Sequence, residues 1–263
     1  RAVLEQDLDW DTLQRDIANA GGMNAPATRL RGGEGDSSGQ LNYVKGAAFL
    51  RTIETIVGRA RWDAYLTGYF NRFAFQPQTS AGFLADLRRH LIRGDRALEA
   101  KLQLDLWVYE PGLPDNAVHF RSAELAAVDR AVAAFDAGGP ASAIRADDWS
   151  TQEWQRFLNN LSRKQSAARL AELNQRFRLN DSSNGYVRSA WLVLATQNRW
   201  EPAIPSVEAF ATSVGRGLLV TPVYRALMAE GDWGKPIARR IFDRARPTYH
   251  PVTAGQIERV LSR

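Results

Sequence analysis

Cysteine is absent from the 263 residues of this chain, which excludes disulfides, thiolate nucleophiles and cysteine-ligated metal centres. Histidine is nearly as scarce, with only His90, His119 and His250. No two of these lie within helical reach of each other, and no His-Glu-x-x-His occurs. The paired histidines that hold a hydrolytic zinc on one helical face are therefore missing from the sequence. A Gly-x-Ser-x-Gly elbow is lacking too, and no serine has an evident histidine partner. The glycine-dense stretch Gly32-Gly33-Glu34-Gly35 has neither the lysine nor the helix start of a phosphate cradle, so it reads as a loop. No apolar run approaches the ~18 residues of a membrane span, and no signal-peptide pattern opens the chain. The expectation is a chain with no membrane partner and a cytoplasmic location.

Charge of one sign is in modest excess. Lysine and arginine number 34 against 29 acidic residues, for a net charge of +5. Such a balance invites a nucleic-acid reading. The arginines, however, are scattered along helical faces, as in Arg88, Arg89, Arg93 and Arg96, or Arg239, Arg240, Arg244 and Arg246. No nucleic-acid motif accompanies them. Solvated helix faces are the expectation, and a nucleic-acid partner is not.

What is present is helical periodicity. Phe49, Leu50, Ile53, Ile56 and Val57 form one apolar stripe. Trp62, Tyr65, Leu66, Tyr69, Phe70 and Phe73 form a second, and Phe83, Leu84, Leu87 and Leu91 a third behind the cap residues Thr79 and Ser80. The prolines and glycine of Trp107-Val108-Tyr109-Glu110-Pro111-Gly112-Leu113-Pro114 argue against a helix interior, so this stretch reads as a connector. Helices then resume in succession. Ser150 and Glu153 predict a capping box, and Thr221-Pro222 predicts a cap followed by a first-turn proline. Leu4 to Ile17 can be helical, whereas Gly21 to Gly39 is loop-like. The fold class is all-α, with the later helices stacked in pairs as an α-solenoid-like, armadillo- or HEAT-like array.

Five segments share an order with a known family. Asn42-Tyr43-Val44-Lys45-Gly46 resembles the Tyr-Glu-Lys-Gly motif of the aminopeptidase N family of zinc peptidases, in the branch that contains leukotriene A-4 hydrolase. Trp107 to Pro114 is similar to that family's Trp-Leu-Tyr-x-Pro-Gly-Leu-Pro junction between its thermolysin-like catalytic domain and its helical C-terminal domain. Trp200-Glu201-Pro202-Ala203-Ile204-Pro205, Gly215-Arg216 with Thr221-Pro222, and His250-Pro251-Val252-Thr253-Ala254 match later segments in sequence order.

The resemblance implies the C-terminal portion of such an enzyme. Residues 1–105 would be the end of the catalytic domain without its zinc ligands, 106–116 the connector and 117–263 the helical domain. An opening Arg1 in place of methionine agrees with a piece of a longer chain. Tyr43 would be the catalytic phenol that polarises the scissile carbonyl, and Arg216 the residue that binds the carboxylate of a short peptide substrate. Zinc would belong to the complete enzyme, held by the remainder of the same polypeptide, and this chain alone would be inactive. The family's glutamate after the tyrosine is Val44 here, and a lysine two places after the arginine is Leu218. An acidic residue that serves the hydrolase's epoxide chemistry corresponds to Glu34 or Asp36, and a second tyrosine is Ser38. Peptide hydrolysis is thus the expected activity of the parent, and epoxide hydrolysis is not. A non-catalytic helical scaffold that binds other proteins is the competing reading. His250, Trp107 and Trp200 are expected to be structural.

Overall fold

In the computed structural model, which describes residues 2–31 and 41–262, every regular element is helical and no strand occurs among the described residues. The all-α class predicted from periodicity is therefore observed. None of the described helices is long and apolar enough to cross a membrane. The chain divides into two compact units between Ser122 and Ala123.

The first unit contains α1 (Ala2–Asn19), α2 (Leu41–Val57), α3 (Arg59–Arg72), α4 (Ser80–Asp86), α5 (Arg96–Leu102) and α6 (Leu104–Tyr109). α2 packs against α1, α3 and α5. Its core gathers Leu13 and Ile17 of α1, Phe49 and Ile53 of α2, Trp62 and Tyr65 of α3, and Leu102, Leu104 and Trp107 from the end of the unit. The Phe49 and Trp107 rings stack at 5.5 Å. Thr79 caps α4, accepting from the Gly82 amide.

Two sequence expectations need revision in this unit. The stripe from Phe83 to Leu91 is not one α-helix, because α4 passes directly into a π-helical turn at Leu87–Ile92. That turn closes where Arg93 N donates to Arg88 O across five residues at 2.9 Å, and it buries Leu87, Leu91 and Ile92 together. The stretch expected as a connector is also partly helical. Leu104–Tyr109 form α6, and Trp107 and Val108 are buried in the core of the first unit. The prolines do not oppose this, since both lie beyond the helix. Glu110, directly before Pro111, is extended at φ −100° and ψ 151°, as a following proline requires. Residues 106–109 thus belong to the first unit.

The second unit contains α7 (Ala123–Asp136), α8 (Thr151–Asn160), α9 (Ala167–Phe177), α10 (Gly185–Gln197), α11 (Ile204–Ser213), α12 (Gly217–Ala229), α13 (Gly231–Ala245) and α14 (Pro251–Leu261). α8, α10, α12 and α14 pack successively as one row, with α13 against both α11 and α12. Such stacking buries one face of each helix against its neighbours. Trp191 of α10 is fully buried and meets Trp200 edge-on at 5.6 Å. The capping box of Ser150 and Glu153 is formed in both directions. The expected cap at Thr221 is not. α12 begins four residues earlier, and Pro222 sits inside it. The carbonyl that loses its helical partner to the proline is that of Leu218, a residue on the exposed side of the helix. Among the described residues, the Thr221 hydroxyl is buried without a hydrogen-bond partner.

Replacing Trp191 by alanine should lower the unfolding free energy by about 3–5 kcal/mol. Leu218→Ala on the exposed face should change it by no more than about 0.5 kcal/mol. Urea unfolding followed by circular dichroism measures both.

Candidate functional site

Tyr43 stands in the first turn of α2, a helix whose buried side includes Leu41, Val44, Lys45, Ala48, Phe49, Thr52 and Ile53. Two residues of α-helix turn through about 200°, so Tyr43 and Lys45 face opposite ways. Lys45 is fully buried, and Tyr43 is 82% exposed. The Lys45 ammonium donates to the carbonyl oxygens of Thr28 at 2.8 Å and Glu110 at 3.1 Å. Thr28 is itself fixed, for its hydroxyl donates to Ala25 O at 2.7 Å and accepts from Gly112 N at 2.7 Å. Gly112 has φ +71°, and a Cβ there would fall 2.6 Å from the Met23 carbonyl oxygen, so only glycine fits. One ammonium therefore joins the turn before α2, the first turns of α2 itself, and the segment that follows α6. Burial away from water pulls the Lys45 ammonium down to about 8.

Arg216 lies in the second unit, directly before α12, with an extended backbone at φ −79° and ψ 112°. Its guanidinium donates to the Tyr186 hydroxyl at 2.7 Å and lies over that ring at 5.5 Å. Tyr186 is in the first turn of α10, where the Asn184 side chain accepts from the Tyr186 and Val187 amides. Thr253 Oγ1 donates to the Gly215 carbonyl at 3.1 Å, which fixes the backbone beside the arginine. Among the described residues Arg216 is partnered by this phenol and by no carboxylate. Of the substitutions noted in the sequence, Val44 is buried and Leu218 is exposed. Glu34, Asp36 and Ser38 lie outside the described residues.

The three histidines are dispersed. His90 Nε2 is 3.6 Å from Asp86 Oδ1. His119 Nε2 is 2.9 Å from Asp7 Oδ1, and its ring stacks on Trp10 at 4.7 Å. His250 caps α14, its Nδ1 accepting from Val252 N at 3.2 Å. No three of His, Asp and Glu gather to hold a metal among the described residues. The described residues do not fit a zinc site.

Two partners escaped sequence reasoning. Lys45 left a signal, since Leu41, Lys45, Ala48 and Thr52 recur at helical spacing along the buried stripe. Tyr186 left none, because it meets Arg216 across 30 positions of sequence.

With this geometry in hand, comparison with known proteins is specific. Residues 149–261 match the family described as leukotriene A4 hydrolase, C-terminal. Leucine aminopeptidase 2 of Ajellomyces capsulatus is 24% identical over 240 residues, covering 86% of this chain and 37% of the relative. Leucine aminopeptidase 2 of Yarrowia lipolytica is 25% identical over 241 residues, covering 86% and 36%. Yeast leukotriene A4 hydrolase in complex with bestatin superposes with a TM-score of 0.82 at 20% identity, over 99% of this chain and 46% of that one. Native leukotriene A4 hydrolase from Saccharomyces cerevisiae gives 0.81 at 20% identity. These structural likenesses establish the fold. The match over residues 149–261 makes that part of the chain similar to the leukotriene A4 hydrolase C-terminal domain family, and the resemblance to that aminopeptidase branch read from the sequence is borne out. The chain spans little more than a third of the curated relatives it matches.

The Lys45 clamp has a pH signature. Its ammonium titrates near 8 in the fold against an ordinary 10.5, so between those values the unfolded chain binds more protons and folding stability rises with pH. Stability should rise on the order of 2 kcal/mol from pH 8 to 10. Above that range unfolding is favoured by tyrosines such as Tyr65, whose phenol burial pushes up in the fold. Lys45→Met should abolish the rise. Urea unfolding at pH 8, 9 and 10 reads it directly.

Proposed function

We propose that this chain is the C-terminal portion of a zinc aminopeptidase of the leukotriene A4 hydrolase-like branch, acting on peptides from their N-termini. Its first unit completes a thermolysin-like catalytic domain, and its second is the helical domain that follows it in sequence. The observation that carries this reading is Tyr43, a phenol held outward by a clamped helix start in a chain whose relatives are named leucine aminopeptidases. Exposed Phe70 and Phe75 in the same unit favour burial against further polypeptide of the same chain.

The described residues of this chain do not form the metal site, so the zinc would be held by ligands elsewhere in the polypeptide, where it would activate water and polarise the scissile carbonyl. This chain's own part is electrostatic. The Tyr43 hydroxyl donates a hydrogen bond to the carbonyl oxygen as negative charge develops there, and a rigid helix lets it do so without reorganisation. Arg216 presents a planar fork that suits a substrate carboxylate, steadied by Tyr186. With Leu218 in place of a second cation, that carboxylate is held by one guanidinium. By itself, this chain neither binds catalytic zinc nor cleaves peptides.

The test joins this chain to the coding sequence upstream of Arg1. If that sequence carries His-Glu-x-x-His and a downstream glutamate, the joined protein should cleave aminoacyl-anilides. Tyr43→Phe should then lower kcat by about 100- to 1,000-fold with little change in KM, while Arg216→Ala should chiefly raise KM for short peptides. An upstream sequence without zinc ligands would favour a non-catalytic helical scaffold, and a Tyr43→Phe enzyme with unchanged kcat would remove Tyr43 from the catalytic machinery.

A further inference from the structure

A recess of about 270 Å³ in the first unit is lined by Arg61, Tyr65, Arg72, His90, Leu91 and Arg93. Arg61 and Arg72 come from α3, His90 from the π-helical turn, and Arg93 from the residue that ends that turn in a left-handed conformation at φ 54°. The recess has no part in the peptidase reading, and π-helical turns are rare features that concentrate at functional positions.

Its charges are unbalanced. Asp86, 6% exposed, is the carboxylate at the site, and it is already engaged. It accepts from Arg72 Nε at 3.1 Å and Arg72 Nη2 at 2.7 Å, and from the Tyr65 hydroxyl at 2.9 Å. Burial alone would raise the Asp86 carboxyl, but the hydrogen bonds from Arg72 and Tyr65 hold it below the usual carboxylate range, so it remains charged and bound to Arg72. Arg61 and Arg93 have no such partner. Arg61 Nη2 donates to the Leu91 carbonyl at 2.5 Å, and Arg93 Nε to the His90 carbonyl at 2.8 Å. Neither has a carboxylate within ion-pair distance among the described residues. The two carbonyls at the end of the turn are thereby occupied by cations, and each guanidinium keeps further N–H donors.

We propose that this recess is a binding site for a small doubly charged oxyanion of the phosphate class. Two anchored guanidinia whose remaining donors lack a counter-charge among the described residues match the fork geometry in which arginine binds phosphate, and a third, Arg72, is locked beside them by Asp86. The volume suits a small anion better than a drug-sized ligand, which needs about 300–1,000 Å³. A chloride or acetate ion offers one charge to two guanidinia and binds more weakly.

Inorganic phosphate is the probe, titrated into this chain at constant ionic strength set with sodium chloride. Phosphate should raise the unfolding temperature along a saturating curve, and should protect Arg61 and Arg93 from an arginine-modifying dicarbonyl while leaving Arg239 reactive. Sodium acetate at the same ionic strength should do neither. Arg61→Gln combined with Arg93→Gln should weaken the phosphate response about tenfold or more, in line with losing two charge-assisted contacts. The protection experiment uses the unaltered chain, so it stands even if the double variant folds poorly. Equal effects of phosphate and acetate, or phosphate protection that does not distinguish Arg61 and Arg93 from Arg239, would overturn the proposal. Because the readout is binding by this chain alone, the outcome is independent of any peptidase activity.

Discussion

The buried ammonium of Lys45 is the interaction on which the arrangement around Tyr43 depends. A charge taken from water must be compensated by well-placed acceptors, and here the acceptors are the backbone carbonyls of Thr28 and Glu110. Those carbonyls belong to segments on either side of α2 in sequence, so satisfying one side chain fixes three pieces of backbone. Thr28 and Gly112 extend the same constraint, the first by bonding the amide of the second, the second by offering a surface without a Cβ to Met23. Once Lys45 points inward, helical geometry leaves Tyr43 pointing outward.

Arg216 is held by a different device, an aromatic ring and its hydroxyl in place of a carboxylate. That choice leaves the positive charge without a carboxylate partner among the described residues. The same pattern of cations steadied by neutral acceptors recurs at Arg61 and Arg93, where carbonyls of the π-helical turn do the steadying. In both places the position of the guanidinium is set without consuming its charge.

Much of this was legible in the residues. Apolar spacing announced the helices, the Ser150–Glu153 box and the Thr79 cap were read at their positions, and five ordered segments carried the resemblance that the comparisons bear out. Where the fold departs from the sequence pattern, packing overrides local helix breakers. Pro111 suggested a connector, although Trp107 and Val108 just before it were needed in the core and could stay helical. Pro222 suggested a helix start, although Val220, Val223 and Tyr224 on its buried side carry α12 through it. The π-helical turn was invisible, since no residue pattern separates a widened turn from an ordinary one.

The sequence by itself determined the helical class, the order of the elements and the absence of thiol and paired-histidine chemistry, because periodicity and composition are local properties. Which lysine lies inside, and which phenol steadies Arg216, depends on contacts that form only when distant segments pack. The partners of Lys45 lie 17 and 65 positions away and that of Arg216 lies 30 away, and no local pattern encodes them. Tyr43 illustrates both halves. Its motif marked it at once, but its exposure follows from Lys45, whose two carbonyl partners exist only when the chain has folded.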